Sequence, residues 1–448
     1  MQEGMTGAGH ALFGWNMLWV ASILFGLTYV VIMSEKINRA IAALLGGGLM
    51  ILAGVLTQEA AVRGVDFNVL GLLTGMMVLV AITRKTGVFQ FVAIWSAKKV
   101  NARPMGILLM LSVVTAVFSA LLDNVTTVLL IVPVTLLITE ELEIDPYPIL
   151  AAEIFSSNIG GTATLIGDPP NIMIGSAANL SFNAFVTNIA PIIPLIFLLT
   201  VLPIAFLWRK RLVTTEEHRQ RVLDFREREA ITNPRLLKRC LFVLALVLLG
   251  FVFDRALHLE PATVAMFGAA LLLLLANVGK EAEEQSKAVH EAFAEAEWVT
   301  LFFFVGLFIV VAGVEKAGLL DMLARGVLDV TRGSYHVATY AILWVSAVAS
   351  AIVDNIPFVA AMIPVIRDMG PAMGGPEHLR TLWWALSLGA CLGGNGTLIG
   401  ASANVVVAGF AERSGRPIRF IPFLKVSVVA MLTEVAISNV YLYLRYLH

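Results

Sequence analysis

Apolar residues run along this chain in long blocks separated by short polar segments. A helix needs about 20 mostly apolar residues to cross a membrane, and the clearest blocks are residues 13–33, 40–56, 67–83, 188–208, 238–253, 261–278, 298–313 and 421–444. Two further regions, 104–179 and 336–411, are apolar but interrupted. In each of them two helical stretches meet at an Asp-Asn pair, and a later helix is broken by a glycine-rich loop. The pattern therefore predicts spanning helices together with two irregular regions at membrane depth.

The composition agrees with an all-α polytopic membrane protein. Of the 448 residues, 58% are hydrophobic and 14% are charged, whereas a soluble domain carries roughly a quarter charged residues. The net charge of −1 excludes the basic footprint of a nucleic-acid-binding protein. Two cysteines and seven scattered histidines indicate neither a disulfide scaffold nor a metal site, and we expect no cofactor. The segments 84–103 and 315–333 mix charged and apolar residues, which predicts helices lying at the membrane surface against lipid.

The two halves of the chain repeat each other. Three blocks match in the same order: GMMVLVAITRKTGVF (75–89) with GLFIVVAGVEKAGLL (306–320), SALLDNVTTVLLIVP (119–133) with SAIVDNIPFVAAMIP (350–364), and GGTATLIGDPPN (160–171) with GGNGTLIGASAN (393–404). A general likeness between apolar helices does not explain these matches, because they include Asp, Asn, Gly, Pro and Lys. The repetition predicts a duplicated architecture.

The number of crossings sets how the two halves are oriented. Each half is counted as five crossings, and an odd number inverts the second half relative to the first. The predicted parts are a first repeat at 1–208, a linker at 209–237 and a second repeat at 238–448. With the N-terminus outside, about three quarters of the 31 Lys and Arg residues fall on the cytoplasmic side, as the positive-inside rule requires. We expect a multi-pass protein of the cell membrane with a cytoplasmic linker and both termini extracytoplasmic.

The two Asp-Asn pairs are the first candidate for functional chemistry. Aspartate and asparagine also cap helices well, but capping alone does not explain an ionisable group embedded in apolar sequence. The flanking arms are nearly long enough to cross the membrane, and re-entry is preferred because the pair recurs in the inverted half. Intramembrane carboxylates indicate a functional site. The candidate coupling and binding residues at these hairpin tips are Asp123, Asn124, Thr126, Asp354 and Asn355.

The two glycine-rich breaks are the second candidate. Glycines permit an unwound backbone and the paired prolines of GDPPN prevent helix continuation, so freed carbonyls and side chains are expected to line a polar pocket. A kink for packing is the structural alternative, although one Gly or Pro suffices for a kink. Glu153, in the arm of the first broken helix, is either a proton carrier or a structural residue. The candidate binding residues of the loops are Asn158, Gly160, Gly161, Thr162, Thr164, Asp168, Asn171, Gly394, Asn395 and Thr397.

The repeated Asp-Asn blocks, GGTATLIGDPPN and EWVTLFFFVGLFIVV (297–311) resemble the ion transporter superfamily. The likeness is greatest to its branch of arsenite permeases, sodium/proton antiporters and the melanosomal P protein. Membership implies two inverted repeats, each with a re-entrant hairpin and a broken helix, an elevator-type transport domain beside a scaffold, and a homodimer. The family's hairpin tips map to 123–127 and 354–358, and its unwound loops map to 160–171 and 393–400. The second loop lacks the DPPN sequence, which leaves the role of 401–404 open.

The sequence favours a secondary transporter over an enzyme or an ATP-driven pump. It contains neither a nucleophile–base set nor a GxxxxGK[ST] loop, although the resemblance allows a soluble ATPase partner. A channel is distinguished only by the absence of proton coupling. No arginine or lysine is expected near either tip within the membrane, so a dicarboxylate would be poorly compensated. We therefore predict proton-coupled efflux of a small inorganic solute, arsenite or antimonite, with sodium/proton antiport as the main alternative and dicarboxylate transport less favoured.

Overall fold

The structure is a computed structural model that describes residues 14–34 and 36–448. Within these residues nine helices are long and apolar enough to cross a membrane. The first half contains α1 (Met17–Ser34), α2 (Arg39–Leu52), α3 (Gln58–Gly64), α4 (Phe67–Arg84), α5 (Val88–Lys99), α6 (Pro104–Leu121), α7 (Asn124–Glu141), α8 (Tyr147–Thr162), α9 (Pro169–Ala178), α10 (Phe182–Asn188) and α11 (Ile193–Trp208). After α12 (Glu216–Leu223) come α13 (Pro234–Val252), α14 (Asp254–Leu257), α15 (Pro261–Asn277), α16 (Ala282–Ala294), α17 (Trp298–Lys316), α18 (Leu319–Thr331), α19 (Tyr335–Ile352), α20 (Asn355–Met369), α21 (Pro376–Gly393), α22 (Ser402–Arg413) and α23 (Phe420–Leu442).

The second half repeats the helix order of the first. Helices α13, α15 and α17 stand where α1, α2 and α4 stand in the first half, and the amphipathic α18 corresponds to α5. The series α19–α22 then corresponds to α6–α9, and α23 corresponds to α11. Each half therefore contains the same elements in the same order: two antiparallel helices, then a helix that ends in a glycine-rich loop, and then a short helix.

A glycine at the start of α5 and another at the start of α18 let the chain turn away from the spanning helix before each of them. Gly87 precedes α5 with a φ of +78°, and Gly318 precedes α18 with a φ of +84°. The two glycines occupy equivalent positions in the aligned blocks. The left-handed conformation costs a residue with a Cβ about 1–2 kcal/mol, so glycine is the residue suited to this turn. The segments predicted at the membrane surface thus form separate helices.

The helices pack in two groups. The flanking group consists of α1–α4 and α13–α17, in which α2 packs along α17 and α4 along α15. The hairpin group consists of α6–α11 and α19–α23, in which α6 packs along α8 and α19 along α21. Helices α5 and α18 connect the groups along the chain and pack against α7 and α20 respectively. One of the contacts between the two groups is the hydrogen bond that the Tyr29 hydroxyl of α1 donates to the Pro357 carbonyl of α20 at 2.6 Å.

The linker is held against α5. The Lys98 ammonium donates to the Phe225 carbonyl at 2.8 Å and to the Glu227 carboxylate at 2.7 Å, and its hydrogen bond lowers the pKa of Glu227. Helix α13 begins at Pro234, inside the predicted linker 209–237. It starts early because Asn233 caps it by accepting from the Leu236 N–H at 3.0 Å.

Most predicted spans coincide with helices, but their ends differ. The span predicted at 40–56 ends as a helix at Leu52, because Gly54 adopts a φ of +75° and turns the chain. The span predicted at 13–33 corresponds to α1, and residue 13 itself lies outside the described residues. The span predicted at 188–208 is α11 preceded by a short 3₁₀ helix at Ala190–Ile192.

Candidate functional site

The first hairpin places Asp123 between α6 and α7. Its carboxylate caps α7 by accepting from the Thr126 N–H at 2.8 Å, so the capping role that the sequence offered as an alternative is present. The next residue, Asn124, is buried; its backbone N–H donates to the Gly167 carbonyl at 3.1 Å and its side-chain amide to Asn158 at 3.3 Å. The tip of the hairpin is therefore attached to the first unwound loop.

The second hairpin places Asp354 between α19 and α20 in the same way. Its carboxylate caps α20 at the Ile356 N–H, 3.1 Å away, and accepts from the Ser402 hydroxyl at 2.7 Å. The Arg39 guanidinium donates to the same carboxylate oxygen at 2.9 Å. The side chains of Arg39 and Asp354 are 27% and 17% exposed. The pair joins the flanking group to the hairpin group at this tip.

The prediction that no arginine or lysine lies near either tip is wrong. Arg39 is the first residue of α2, and Asn38 caps that helix, so the side chain reaches over the Phe303 ring to Asp354. Near the first tip, Arg84 lines a small cavity together with Thr126. The sequence placed both arginines just outside the predicted spans, since the contacts that bring them to the tips come from distant helices. Both are paired with carboxylates, Arg84 with Glu295 at 2.5 Å.

One asparagine closes each unwound loop. The side-chain amide of Asn171 donates to the carbonyls of Thr162 at 3.1 Å and Thr164 at 3.0 Å. In the second loop the amide of Asn404 donates to the carbonyls of Gly394 and Thr397, each at 2.8 Å. The carbonyls freed by helix breaking are therefore satisfied inside the loops, where an unpaired buried group would be costly. The amides of Asn171 and Asn404 are thus hydrogen-bonded to the loop carbonyls with which they were expected to line a polar pocket.

The hairpins are attached to the loops by matching hydrogen bonds in the two halves. Ser119 donates to the Ser157 carbonyl and Ser350 to the Ala390 carbonyl, each at 2.6 Å. Threonines of the loops donate in the opposite direction, to the hairpin residue that follows each serine: Thr164 donates to the Ala120 carbonyl and Thr397 to the Ala351 carbonyl, each at 2.6 Å. The repeated sequence blocks thus correspond to a repeated local structure.

Glycine is required where each loop-bearing helix meets its hairpin. A Cβ on Gly160 would collide with backbone atoms of Ala116 in α6, and a Cβ on Gly393 would collide with those of Ala347 in α19. Gly161 similarly faces the Gly167 carbonyl. These predicted site residues allow close backbone approach and offer no side chain to a ligand.

Both hairpins and both loops meet around Asp168 and Asn158. The buried Asp168 carboxylate accepts from the Asn355 amide at 3.3 Å on each oxygen, and it lies within electrostatic reach of both tip aspartates. The Asn158 amide donates to Asn395 and to Asn404, each at 2.9 Å. The structure therefore brings together the predicted site residues of both halves. Thr162 is an exception, because its hydroxyl donates to the Asn158 carbonyl of its own helix.

Several polar residues of this region were not predicted from the sequence. Ser402 and Asn404 lie in the segment whose role was left open because it lacks DPPN, and both contact the site. Glu434 of α23 accepts from the Asn395 amide at 2.9 Å. A carboxylate within an apolar block of α23 was a visible signal, but its partner could not be read from the sequence. In the described part of the chain, no group of three or more His, Cys, Asp or Glu residues is placed to hold a metal ion.

The fold is that of a membrane transporter. It is similar to the solved structure of the YdaH transporter of Alcanivorax borkumensis, with a TM-score of 0.57 and 16% identity over 96% of this chain and 98% of that one. The family described as "Citrate transporter" matches residues 29–389, and the chain belongs to this family, within the ion transporter superfamily.

Two relatives place the chain more closely. An uncharacterized transporter of Mycobacterium tuberculosis is 43% identical over 434 residues, which cover 95% of this chain and 98% of that protein. The human P protein is 32% identical over 509 residues, which cover 94% of this chain and 59% of that protein. The resemblance to the P protein is thereby confirmed. The protein is a multi-pass membrane transporter of small solutes.

Proposed function

We propose that this protein is a proton-coupled secondary transporter whose solute binds between the two hairpin tips and the two unwound loops. In this proposal the two halves are inverted repeats, and the hairpin group moves past the flanking group to expose the site to either side in turn. The division of the helices into two groups, with the site in the hairpin group and its edge against the flanking group, supports an elevator-type motion.

The proposed solute is chosen from the numbers of acidic and basic groups around the site. Five carboxyl groups lie at the tips, in the first loop and along the cavity beside Thr126, namely Asp123, Asp168, Asp354, Glu295 and Glu297. Against them stand two guanidinium groups, Arg39 and Arg84, and each is already paired. A polyanion entering alone would meet an excess of negative charge, which is costly in a site with low dielectric.

A small neutral hydroxy-acid fits this site better than an anion. Arsenous acid carries no charge at neutral pH and presents hydroxyl groups, which match the amides and hydroxyls of the loops. We therefore propose export of arsenite or antimonite in exchange for protons. The description of the family as citrate transporters makes citrate the competing solute, and the two arginines would have to leave their carboxylates to bind it.

Sodium/proton antiport is the second candidate, and a different observation favours it. The side-chain oxygens of Asn124 and Thr127, both in the first turn of α7, are buried and have no hydrogen-bond partner among the described residues. Neutral oxygens of this kind beside the carboxylate of Asp123 are suitable ligands for a bare monovalent cation. The homodimer and the soluble ATPase partner stay predictions of the family resemblance.

Everted membrane vesicles with an imposed inside-acid pH gradient test the proposal. The vesicles are supplied in separate arms with arsenite, sodium or citrate, and both solute uptake and the decay of the pH gradient are recorded. We expect arsenite to accumulate and the pH gradient to decay with it, in vesicles that contain the protein and not in vesicles without it.

The other arms decide between the candidates. Sodium-dependent proton release without arsenite uptake would replace the first candidate by sodium/proton antiport. Citrate uptake would show that the charge argument is wrong. Arsenite entry that is independent of the pH gradient would identify a channel and contradict proton coupling.

A further inference from the structure

Helix α23 buries a carboxyl group in the hairpin group, away from the tips. Glu434 is fully buried within the 23-residue apolar helix Phe420–Leu442. Its polar neighbours on the same face are serines: Ser427 donates to the Gly396 carbonyl at 2.7 Å, and Ser438 donates to the carbonyl of Glu434 itself at 2.9 Å. This face of α23 lies against the second unwound loop. Burying a carboxyl group at such a position costs free energy, and groups of this kind are usually paired with a partner or needed for function.

Both oxygens of Glu434 are hydrogen-bonded, and neither partner is charged. Oε2 accepts from the side-chain amide of Asn395 at 2.9 Å, and Oε1 lies 3.1 Å from the hydroxyl of Thr200 on α11. No cation pairs with this carboxyl group among the described residues. Since an isolated buried charge is strongly disfavoured, a charged Glu434 would depend on these two hydrogen bonds alone.

The two partners satisfy Glu434 in either protonation state. As a carboxylate, it accepts from Asn395 and from the Thr200 hydroxyl. As a neutral acid, it keeps the bond from Asn395 and donates its own proton to the Thr200 oxygen, because a hydroxyl both donates and accepts. The Thr200 proton can then turn to a carbonyl of the preceding helical turn. A proton can therefore arrive or leave here without leaving a buried polar atom unpaired.

A chain of amides connects Glu434 to the candidate solute site. The Asn124 amide donates to Asn158 at 3.3 Å, the Asn158 amide to Asn395 at 2.9 Å, and the Asn395 amide to Glu434 at 2.9 Å. All three bonds run in the same direction, with their N–H groups pointing toward Glu434. Hydrogen bonds in such a chain polarise one another. A change of charge at Glu434 is thus transmitted to the loops and the first hairpin tip.

The surroundings of Glu434 contain no competing ionisable partner. Helix α11 carries no ionisable residue. Within the other packed helices the ionisable side chains are Cys391 on α21, Tyr340 on α19, and Lys425 and Tyr441 on α23. The remaining ones described lie at the helix ends, namely Tyr335, His336, His378, Arg380 and the C-terminal Tyr443, Arg445, Tyr446 and His448. None of these described side chains is hydrogen-bonded to Glu434 or forms a salt bridge with it.

We propose that Glu434 is a proton-binding site of this transporter, and that Asn395 and Asn158 couple it to the solute site. The coupling to solute rests on the function proposed above, whereas proton binding by Glu434 does not. Glu153 provides a matched comparison, since it is equally buried in α8. Within the described part of the chain it is hydrogen-bonded to Thr135 alone, and its second oxygen has no partner there. Glu153 has no bond to the amide chain.

The first experiment measures proton binding directly and needs no solute. Infrared spectra of the purified protein are recorded over a pH titration for the wild type, Glu434→Gln and Glu153→Gln. We expect the difference spectrum between the wild type and Glu434→Gln to contain a carbonyl band of a protonated buried carboxyl group that disappears as the pH rises, and the difference spectrum between Glu153→Gln and Glu434→Gln to contain the same band. An unchanged band in Glu434→Gln overturns the proposal.

The second experiment measures coupling in liposomes with radiolabelled arsenite. For Glu434→Gln, we expect accumulation driven by a pH gradient to fall about tenfold or more relative to arsenite exchange at equal pH, while Glu153→Gln keeps the wild-type ratio. Wild-type pH dependence in Glu434→Gln, or its loss in Glu153→Gln instead, overturns the proposal. If the wild type itself does not couple arsenite to protons, the proposed function fails, and the infrared titration still decides the role of Glu434.

Folding is checked separately. If Glu434→Gln does not accumulate in the membrane, Glu434→Asp takes its place, because it keeps the carboxyl group but is too short to contact Asn395 and Thr200 together. We expect Glu434→Asp to keep a titrating band at a shifted pH. A band that titrates at the wild-type pH contradicts the assignment of the two partners.

Discussion

The contact between Arg39 and Asp354 gives one residue pair two roles. It compensates an aspartate at the second hairpin tip, and it joins the helix group that carries the tips to the group that flanks them. In the proposed mechanism this pair must separate when the hairpin group moves. A salt bridge that breaks during the cycle stabilises one end state and sets part of the barrier between the two.

A double-mutant cycle measures this pair. We expect Arg39→Gln and Asp354→Asn each to lower stability by about 1–3 kcal/mol, because each leaves a partly buried charge without its partner. The double variant should recover part of that loss, with a coupling energy of about 1 kcal/mol. Thermal unfolding of the purified variants provides the measurement.

The exposed pair Arg63–Glu59 is the control for this cycle. Its side chains are 79% and 75% exposed, so Arg63→Gln should change stability by less than about 1 kcal/mol. Strictly additive losses at Arg39 and Asp354 would show that the two side chains do not interact in the folded protein.

Asp123 is testable by a change that preserves its capping role. Asparagine caps helices as well as aspartate does, so Asp123→Asn should fold normally while losing the titratable charge at the first tip. We expect proton-linked transport to fall about tenfold or more, as measured by arsenite uptake under a pH gradient. Asp145→Asn is the matched control, since Asp145 accepts from the Tyr147 N–H in the loop before α8. Equal uptake by Asp123→Asn and Asp145→Asn would remove Asp123 from the mechanism.

At the scale of elements, the close packing of α8 against α6 requires that Gly160 has no side chain. A Cβ on Gly160 meets backbone atoms of Ala116, which cannot move aside as a flexible side chain would. Gly409, in the middle of α22, has open space around its Cα. We expect Gly160→Ala to lower the unfolding temperature by several degrees, since overpacking costs about 1–3 kcal/mol.

The control substitution at Gly409 should have the opposite sign. Alanine is favoured over glycine within a helix by up to about 1 kcal/mol, so Gly409→Ala should be neutral or slightly stabilising in the same thermal measurement. A Gly160→Ala protein as stable as Gly409→Ala would contradict the close packing of α8 and α6.

The elements were predictable from the sequence to the extent that local signals define them. Apolar blocks mark the long helices, and Asp123 and Asp354 cap the helices that follow them, so both hairpin tips were found. The glycine-rich loops were also found, but the use of Asn171 and Asn404 to close them was not. Those bonds depend on how the backbone unwinds, which no local pattern of residues specifies.

At the scale of the whole molecule, contacts between distant helices could not be predicted from the sequence. Arg39 and Asp354 are 315 positions apart, and nothing in either segment indicates the other. The same holds for Glu434 and Thr200, which belong to different repeats. Arg39 and Arg84 come to lie near the tips only once the helices are assembled, so the charge around the solute site could not be read from the sequence.

Labelling of single cysteines tests the orientation of the whole molecule. The native thiols of Cys240 and Cys391 are buried, so a thiol introduced on the surface dominates the signal. We expect Glu217→Cys, in the linker, to be protected from an impermeant reagent in intact cells, and Arg255→Cys, beyond α13, to be modified. The reverse labelling pattern would show that the linker is outside and the charge rule has been misapplied.

The measurement that tests the central claim most directly is proton movement driven by a solute gradient. Purified protein is placed in liposomes that contain arsenite and a pH-sensitive dye, with valinomycin and equal potassium holding the membrane voltage at zero. Dilution into arsenite-free buffer should acidify the interior as arsenite leaves and protons enter, and protein-free liposomes should show no such change. Loss of arsenite through the protein without any change of internal pH would contradict proton-coupled transport.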